Sequence, residues 1–174
     1  MNLRLLKMMG QRNHSLKLTC RFMKRHSAFT PLSRDHHRTL ILAQSIKKGA
    51  PAFRGMATTV EGKREETIYH FEKHLKNHFR KEEKVFADCR IASPQIDELI
   101  SEIIEEHRQV EELIHDLSKK DPSKKEEKEI INTLDTLGFL LEKHIRKEER
   151  VLFELLQEKL SAEKLNDIAA ELFQ

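Results

Sequence analysis

The sequence has little cysteine, few aromatic residues and no long apolar run. Its two cysteines, Cys20 and Cys89, are too far apart for a metal-ligand spacing, and they form no disulfide framework. This low number of cysteines without a disulfide framework is compatible with a reducing compartment, so we expect a cytoplasmic protein. No run approaches the roughly 18 apolar residues that a membrane span needs. We therefore expect no membrane partner.

Acidic residues are missing from the first thirty positions, which carry seven lysines and arginines. The formal net charge of +3 for the whole chain is thus +7 for residues 1–30 and −4 for residues 31–174. The second segment is acidic and contains one tyrosine and no tryptophan. It lacks the clustered basic surface of nucleic-acid-binding proteins, and we expect no nucleic-acid partner.

We assign residues 1–26 to a basic N-terminal extension and residues 27–174 to one domain. Three origins of the extension remain open. It is typical of a start codon placed upstream of a true start at Met23, of a targeting peptide, and of a disordered basic arm.

Glycine (five) and proline (four) are also scarce, and they mark the ends of helices. Ser93 and Pro94 are typical of an N-cap and a first-turn proline, while Thr30 or Ser33 would cap the first helix. No segment alternates with a period of two. The pattern predicts an all-α, antiparallel up-down-up-down four-helix bundle with a short C-terminal helix, at about 32–48, 60–90, 94–118, 124–158 and 161–172.

Histidine and glutamate interrupt the apolar stripes of the four long helices. Steps of three and four residues place them on the buried faces, and the stripe of the fourth helix continues to Val151 and Leu155. A buried carboxylate costs several kcal/mol, so these groups need a common partner. We interpret them as metal ligands: His36, His78, Glu82, His107, His144 and Glu148.

An internal repeat supports this interpretation: HFRKEEKVF at 78–86 recurs as HIRKEERVL at 144–152. Each copy places a histidine and a glutamate one helical turn apart on one face. If the second and fourth helices lie diagonally, the copies approach one site with pseudo-twofold symmetry, which suits two metal ions bridged by carboxylates. We interpret the remaining charged residues of the repeat as solvated: Arg80, Lys81, Glu83, Arg146, Lys147 and Glu149.

The other histidines are assigned by helical phase. His36 is preferred to His37 because it continues the apolar stripe of its helix. We expect His74 to lie beside the ligands without binding metal, and His70 to lie at the surface. The remaining histidines, His14, His26 and His115, are expected not to bind metal. His115 belongs to a single Glu-x-x-His, whereas ferritin-like di-iron sites need that motif on two helices.

The segments PLSRDHHRTLILA, HFRKEE, EEHRQVEEL and HIRKEER together resemble the hemerythrin-like, or HHE cation-binding, domain over roughly residues 27–172. The resemblance implies an antiparallel four-helix bundle around a non-haem di-iron centre. Carried over, one iron is bound by His36 and His78 and the other by His107 and His144. The bridging carboxylates are then Glu82 and Glu148.

The sequence departs in two ways from the ligand pattern of the oxygen carriers of this family, and both departures bear on function. His107 is followed one turn later by Glu111 instead of a second histidine, which makes Glu111 a seventh candidate ligand. The last carboxylate follows its histidine by four residues instead of five, which leaves Glu149 as an alternative to Glu148. A carboxylate-richer site stabilises ferric iron, which favours sensing, iron handling or detoxification over plain oxygen carriage.

The predicted ligands would fill only some of the roughly twelve coordination positions that two octahedral metals offer. The remaining positions are enough for an oxo or hydroxo bridge and a small ligand. The sequence thus predicts a protein with two iron ions that binds or reacts with O2 or a related oxidant, with peroxide or nitric oxide chemistry as a possible activity. Mn or Zn would also fit the ligands. One alternative is a regulatory module whose structural or sensory metal acts through a protein partner, and another is a metal-free bundle with hydrated polar residues.

Overall fold

A computed structural model describes residues 25–173 apart from the side chain of Lys124. The expectations for the first 24 residues, including those for Met23, His14 and Cys20, lie outside the described residues. Within this range the protein is helical and contains no strand. The α-helices are α1 (Thr30–Ser45), α2 (Val60–His70), α3 (Lys76–Ala87), α4 (Pro94–Lys119), α5 (Glu127–Lys147), α6 (Phe153–Lys159) and α7 (Ala162–Leu172).

Two π-helical segments make longer rods from these helices. Phe71–Leu75 joins α2 to α3 without a break, and Glu148–Leu152 joins α5 to α6 in the same way. The described chain therefore forms five rods, which pack into a helical bundle. Short 3-10 turns lie at Ser27–Phe29, Arg90–Ala92 and Pro122–Lys124.

The helix ends follow the sequence signals in part. Ser93 accepts a hydrogen bond from the backbone N–H of Ile96 and Pro94 begins α4, which confirms the predicted cap. The prediction for the first helix is wrong, because Phe29 is the N-cap residue of α1 and makes no side-chain cap bond. Thr30 is instead the first residue of that helix.

The core consists of two apolar clusters, one on each side of a layer of buried polar residues. On α4, Ile103 belongs to the first cluster and Val110 to the second, and His107 lies between them. The other apolar residues on this face of α4 are also buried: Ile96, Ile100, Ile114 and Leu117. Because every long rod crosses both clusters, each brings its polar residues to the same level of the bundle.

The predicted buried face of the rod of α5 and α6 is wrong beyond Glu148. Leu152 and Leu156 are fully buried, whereas Val151 is 40% exposed and Leu155 is half-buried. The cause is the π segment Glu148–Leu152. A π turn contains about one residue more than an α turn, so the buried face moves one position along the chain.

α1 lies directly against α5, and the backbones of the two helices are close at Gly138. A Cβ atom at this position would lie 2.6 Å from the carbonyl oxygen of Ala43. Because glycine has no side chain, the two helices can approach each other this closely. In the described part of the chain, no helix combines the length and apolar character needed to cross a membrane.

Candidate metal centre

Six polar side chains meet in the layer between the two apolar clusters. They come from four rods, and each residue is at most 2% exposed. α1 supplies one residue, the rod of α2 and α3 two, α4 one, and the rod of α5 and α6 two. They are His36, His78, Glu82, His107, His144 and Glu148.

These residues form two groups that share their carboxylates. One group contains His36 and His78, the other contains His107 and His144, and both contain Glu82 and Glu148. In each group the candidate ligand atoms all lie within 4.8 Å of one another. The histidines thus divide in the way that the resemblance implied.

The two carboxylates span the space between the groups. Glu82 Oε1 lies 2.9 Å from His78 Nε2, and Glu82 Oε2 lies 3.3 Å from His107 Nε2. The two oxygens of Glu82 therefore face different groups. Glu148 Oε2 lies 3.1 Å from His36 Nε2 and 3.5 Å from His144 Nε2, so this oxygen also faces both.

Several of these buried atoms make no well-aligned hydrogen bond among the described residues, although some of them lie within ion-pair distance of each other. They include both carboxylate oxygens of Glu82, both of Glu148, and the Nε2 atoms of His107 and His144. A buried polar group left unpaired costs about 1–3 kcal/mol, and more if it is charged. Coordination of cations in the two groups would satisfy these six atoms, so the donor set fits metal ions.

The pKa values of the buried side chains describe the charge of the cluster in the absence of metal. Burial lowers the pKa of His78, but the carboxylates of Glu82 and Asp35 outweigh it and raise this pKa to about 9. Burial raises the pKa of Glu82, but His78, His107 and His36 outweigh it and hold this pKa well below its usual value. Without metal, His78 is therefore held as a cation beside the carboxylate of Glu82, and a bound metal ion would take the place of that proton.

The opposite nitrogen of each histidine faces a second carboxylate. His36 Nδ1 lies 2.7 Å from Glu149 Oε1, and His78 Nδ1 lies 3.4 Å from Asp35 Oδ2. Such outer carboxylates orient the ring so that the other nitrogen points at the metal, and they raise the basicity of the ligand.

The second pair of histidines repeats this arrangement. His107 Nδ1 lies 3.0 Å from Glu83 Oε1, and His144 Nδ1 lies 3.2 Å from Glu106 Oε2. Asp35 and Glu106 each directly precede a ligand histidine, whereas Glu83 and Glu149 each directly follow a ligand glutamate. The pseudo-twofold symmetry of the repeat therefore extends to the outer carboxylates.

Our interpretation of the other charged residues of the repeat as solvated is wrong for Glu149 and Lys147, whose side chains are 23% and 15% exposed. Glu149 contacts His36, and Lys147 donates a hydrogen bond of 2.9 Å to Glu106. Glu83 is exposed, as predicted, although it also contacts a ligand histidine. Burial raises the pKa of Glu106, but His144 and Lys147 outweigh it and lower this pKa to about 2. Sequence analysis missed Glu106, although its place before His107 matches that of Asp35 before His36.

The basic extension also reaches the site. Arg25 donates a hydrogen bond of 2.8 Å to Glu149, and its guanidinium carbon lies 5.1 Å from the centre of the Phe153 ring. The backbone N–H of His26 donates to Gln157 Oε1. The last two residues that we assigned to the extension thus pack on the bundle.

The structure does not bring the candidate ligand Glu111 to the centre. This residue is exposed and lies outside both groups. A step of four residues turns about 40° past His107, away from the side on which Val110 is buried. His37 is also exposed, whereas its neighbour His36 lies in the cluster.

The expectation for His70 is wrong, because this residue is half-buried and its Nε2 lies 3.1 Å from Thr39 Oγ1. His74 is exposed, and it lines a small cavity together with the candidate ligand His78. His26 and His115 lie outside both groups.

The fold and the site together define a helical-bundle protein with a buried histidine–carboxylate cluster that could hold metal ions. Comparison with protein-family models gives a match to the hemerythrin HHE cation-binding domain over residues 27–156. The chain belongs to this family, which confirms the resemblance. Comparisons with curated proteins and with solved structures found no match.

Proposed function

We propose that this protein binds two non-haem iron ions, one in each group, and that it binds or reacts with O2 or a related small oxidant. We also propose that its four long rods form an antiparallel bundle in the cytoplasm. Bound iron would supply a redox couple and open coordination positions. The chain supplies the ligands, their orientation and the exclusion of water.

The sharing of Glu82 and Glu148 between two groups is the observation that carries this proposal. A site for one metal needs one set of ligands, whereas here two histidine pairs face one pair of carboxylates. The oxygens of both glutamates make no well-aligned hydrogen bond in the described chain, which supports binding of cations between the pairs. The sites for two ions are therefore adjacent.

Aromatic rings pack against the histidines of the cluster. Phe79 stacks on His107 with ring centres 3.9 Å apart, and Phe153 stacks on His36 at 5.9 Å. These rings also limit rotation of the imidazoles. A small diatomic oxidant fits such an enclosed site better than a larger substrate.

The number of ligands supports chemistry with a small oxidant. With Glu111 at the surface, the seventh predicted ligand is lost, and each group offers two histidines and two shared carboxylates. Two octahedral iron ions would then keep open positions at which an oxidant could bind. Sensing, iron handling and detoxification all use the oxidation of iron at such a position.

The first experiment tests metal binding. The protein is purified without oxygen, supplied with Fe²⁺ and analysed for iron per chain. We expect about two ions for the wild type, and a loss of at least one in Glu82→Gln because this carboxylate serves both groups. Glu111→Gln is the matched control and should keep the wild-type content. Less than one ion in the wild type would overturn the proposal.

A second measurement tests reactivity. The iron-loaded protein is exposed to air while its near-ultraviolet spectrum is recorded. New charge-transfer absorbance in the wild type, absent from Glu82→Gln, is the expected result. A spectrum that air leaves unchanged would contradict reaction with O2.

A further inference from the structure

Two histidines outside the centre form a pair at the surface of the rod of α2 and α3. His70 ends α2 and His74 lies one turn later in the π segment. Their ring centres are 5.2 Å apart. His74 is exposed and His70 is half-buried against α1, so the pair is open to solvent on one side.

This pair shares a small cavity with a residue of the centre. The cavity is lined by His70, His74, Asp35 and His78, among others. Asp35 Oδ2 lies 3.4 Å from His78 Nδ1. Side chains of the types that bind metals thus line one cavity, from the exposed His74 to the buried His78.

The chemistry of the pair suits a transition-metal ion. Two imidazoles one helical turn apart can bind one ion together, and imidazole is a good ligand for Zn, Cu, Fe and Ni. Burial, His74 and Arg38 lower the pKa of His70 to about 4, so this ring is free of a proton at neutral pH. Asp35 adds a negative charge, while Arg38 in the same cavity opposes a cation.

The centre also needs an entrance, because each of its six residues is at most 2% exposed. We propose that His70 and His74 capture a divalent transition-metal ion at the surface, from which it passes Asp35 to the His78 side of the centre. This proposal rests on the proposed function, since the captured ion is the one that the centre binds.

Capture is tested by Zn²⁺ titration of the full chain after its centre has been filled. The wild type should bind one additional Zn²⁺, and His74→Ala should lose it. His115→Ala is the matched control, because it removes another exposed histidine and should keep the additional ion. Arg38→Ala should bind Zn²⁺ more tightly than the wild type, since it removes a positive charge from the cavity.

Delivery is tested by the rate at which the metal-free protein takes up limiting Fe²⁺ without oxygen. Uptake by His74→Ala should be slower on the order of tenfold, the factor expected for about 1.4 kcal/mol of lost binding. The final iron content should equal that of the wild type. A thermal melt of each variant verifies that it is folded.

Each outcome decides the proposal. Equal Zn²⁺ binding by His74→Ala and the wild type overturns capture, and equal rates of Fe²⁺ uptake overturn delivery. If the wild-type centre takes up no iron at all, the proposed function fails, and with it delivery. The titration, then made on the unfilled protein, still decides whether the pair captures a cation.

Discussion

His36 Nδ1 and Glu149 Oε1 lie 2.7 Å apart although 113 positions separate the two residues in the chain. Glu149 also binds Arg25, so one carboxylate connects the start of the described chain, the first helix and the second copy of the repeat. The other nitrogen of His36 faces Glu148 in the centre. An outer carboxylate thus determines how a ligand points.

We expect Glu149→Gln to weaken iron binding about 10- to 100-fold, the usual effect of losing an outer carboxylate. The neutral amide no longer raises the basicity of His36. Competition with a chelator measures the affinity. Glu154→Gln, at an exposed position of α6, is the control and should bind as the wild type does. Equal iron affinities of the two variants would show that Glu149 does not contribute to iron binding.

Removal of metal should lower the stability of the fold. An ion that binds only the folded chain adds about 2.7 kcal/mol at a free concentration of 100 times its Kd. We expect the melting temperature to fall when a chelator removes the metal and to recover when iron is added back. The melting temperature of Glu82→Gln should respond less. A wild-type melting temperature that metal leaves unchanged would contradict a site that exists only in the folded state.

The π segment can be tested by a pair of neighbouring substitutions. Leu152→Ala should reduce the free energy of unfolding by about 2–5 kcal/mol, because Leu152 is fully buried. Val151→Ala should change it by no more than about 0.5 kcal/mol. An uninterrupted α-helix would reverse this order. Denaturant unfolding of both variants distinguishes the two geometries.

Gly138→Ala should destabilise the protein even though alanine favours helix. The new methyl group would meet the carbonyl oxygen of Ala43, and overpacking of this kind costs about 1–3 kcal/mol. The gain in helix propensity offsets at most about 1 kcal/mol. Thr136→Ala, at an exposed position of α5, has the propensity gain alone and should be neutral or stabilising in the same unfolding assay. A gain in stability for Gly138→Ala would show that α1 and α5 can separate freely.

Cys89 should resist thiol reagents while the protein is folded. Burial raises the pKa of its thiol to about 11, so at pH 8 only about one thiol in a thousand is ionised. In a Cys20→Ser background, which leaves Cys89 as the remaining cysteine, we expect slow modification of the native chain and rapid modification in denaturant. Rapid labelling of the native protein would place Cys89 at the surface.

Much of the centre follows from periodicity alone. Steps of three and four residues bring His107 and the repeated His-x-x-x-Glu pairs onto apolar faces, and the structure buries all of these residues in one layer. The phase of the first helix likewise separated His36 from His37. Helical phase is a local property, so it can be read from neighbouring residues.

Glu111 and Val151 show where this local rule ends. Both lie on the predicted faces, yet both are exposed. For Glu111, the buried face of α4 turns toward Val110. For Val151, a π segment shifts the face by one residue.

The sequence by itself determined the helical class, the repeat and the six residues that meet in the polar layer, because each depends on spacing within one helix. The tertiary structure decided which oxygen faces which nitrogen and which carboxylates stand behind the histidines. Those relationships join residues on different rods, such as Glu106 with His144 and Glu83 with His107. They depend on how the rods pack, and the pattern of a single helix carries no information about its neighbours.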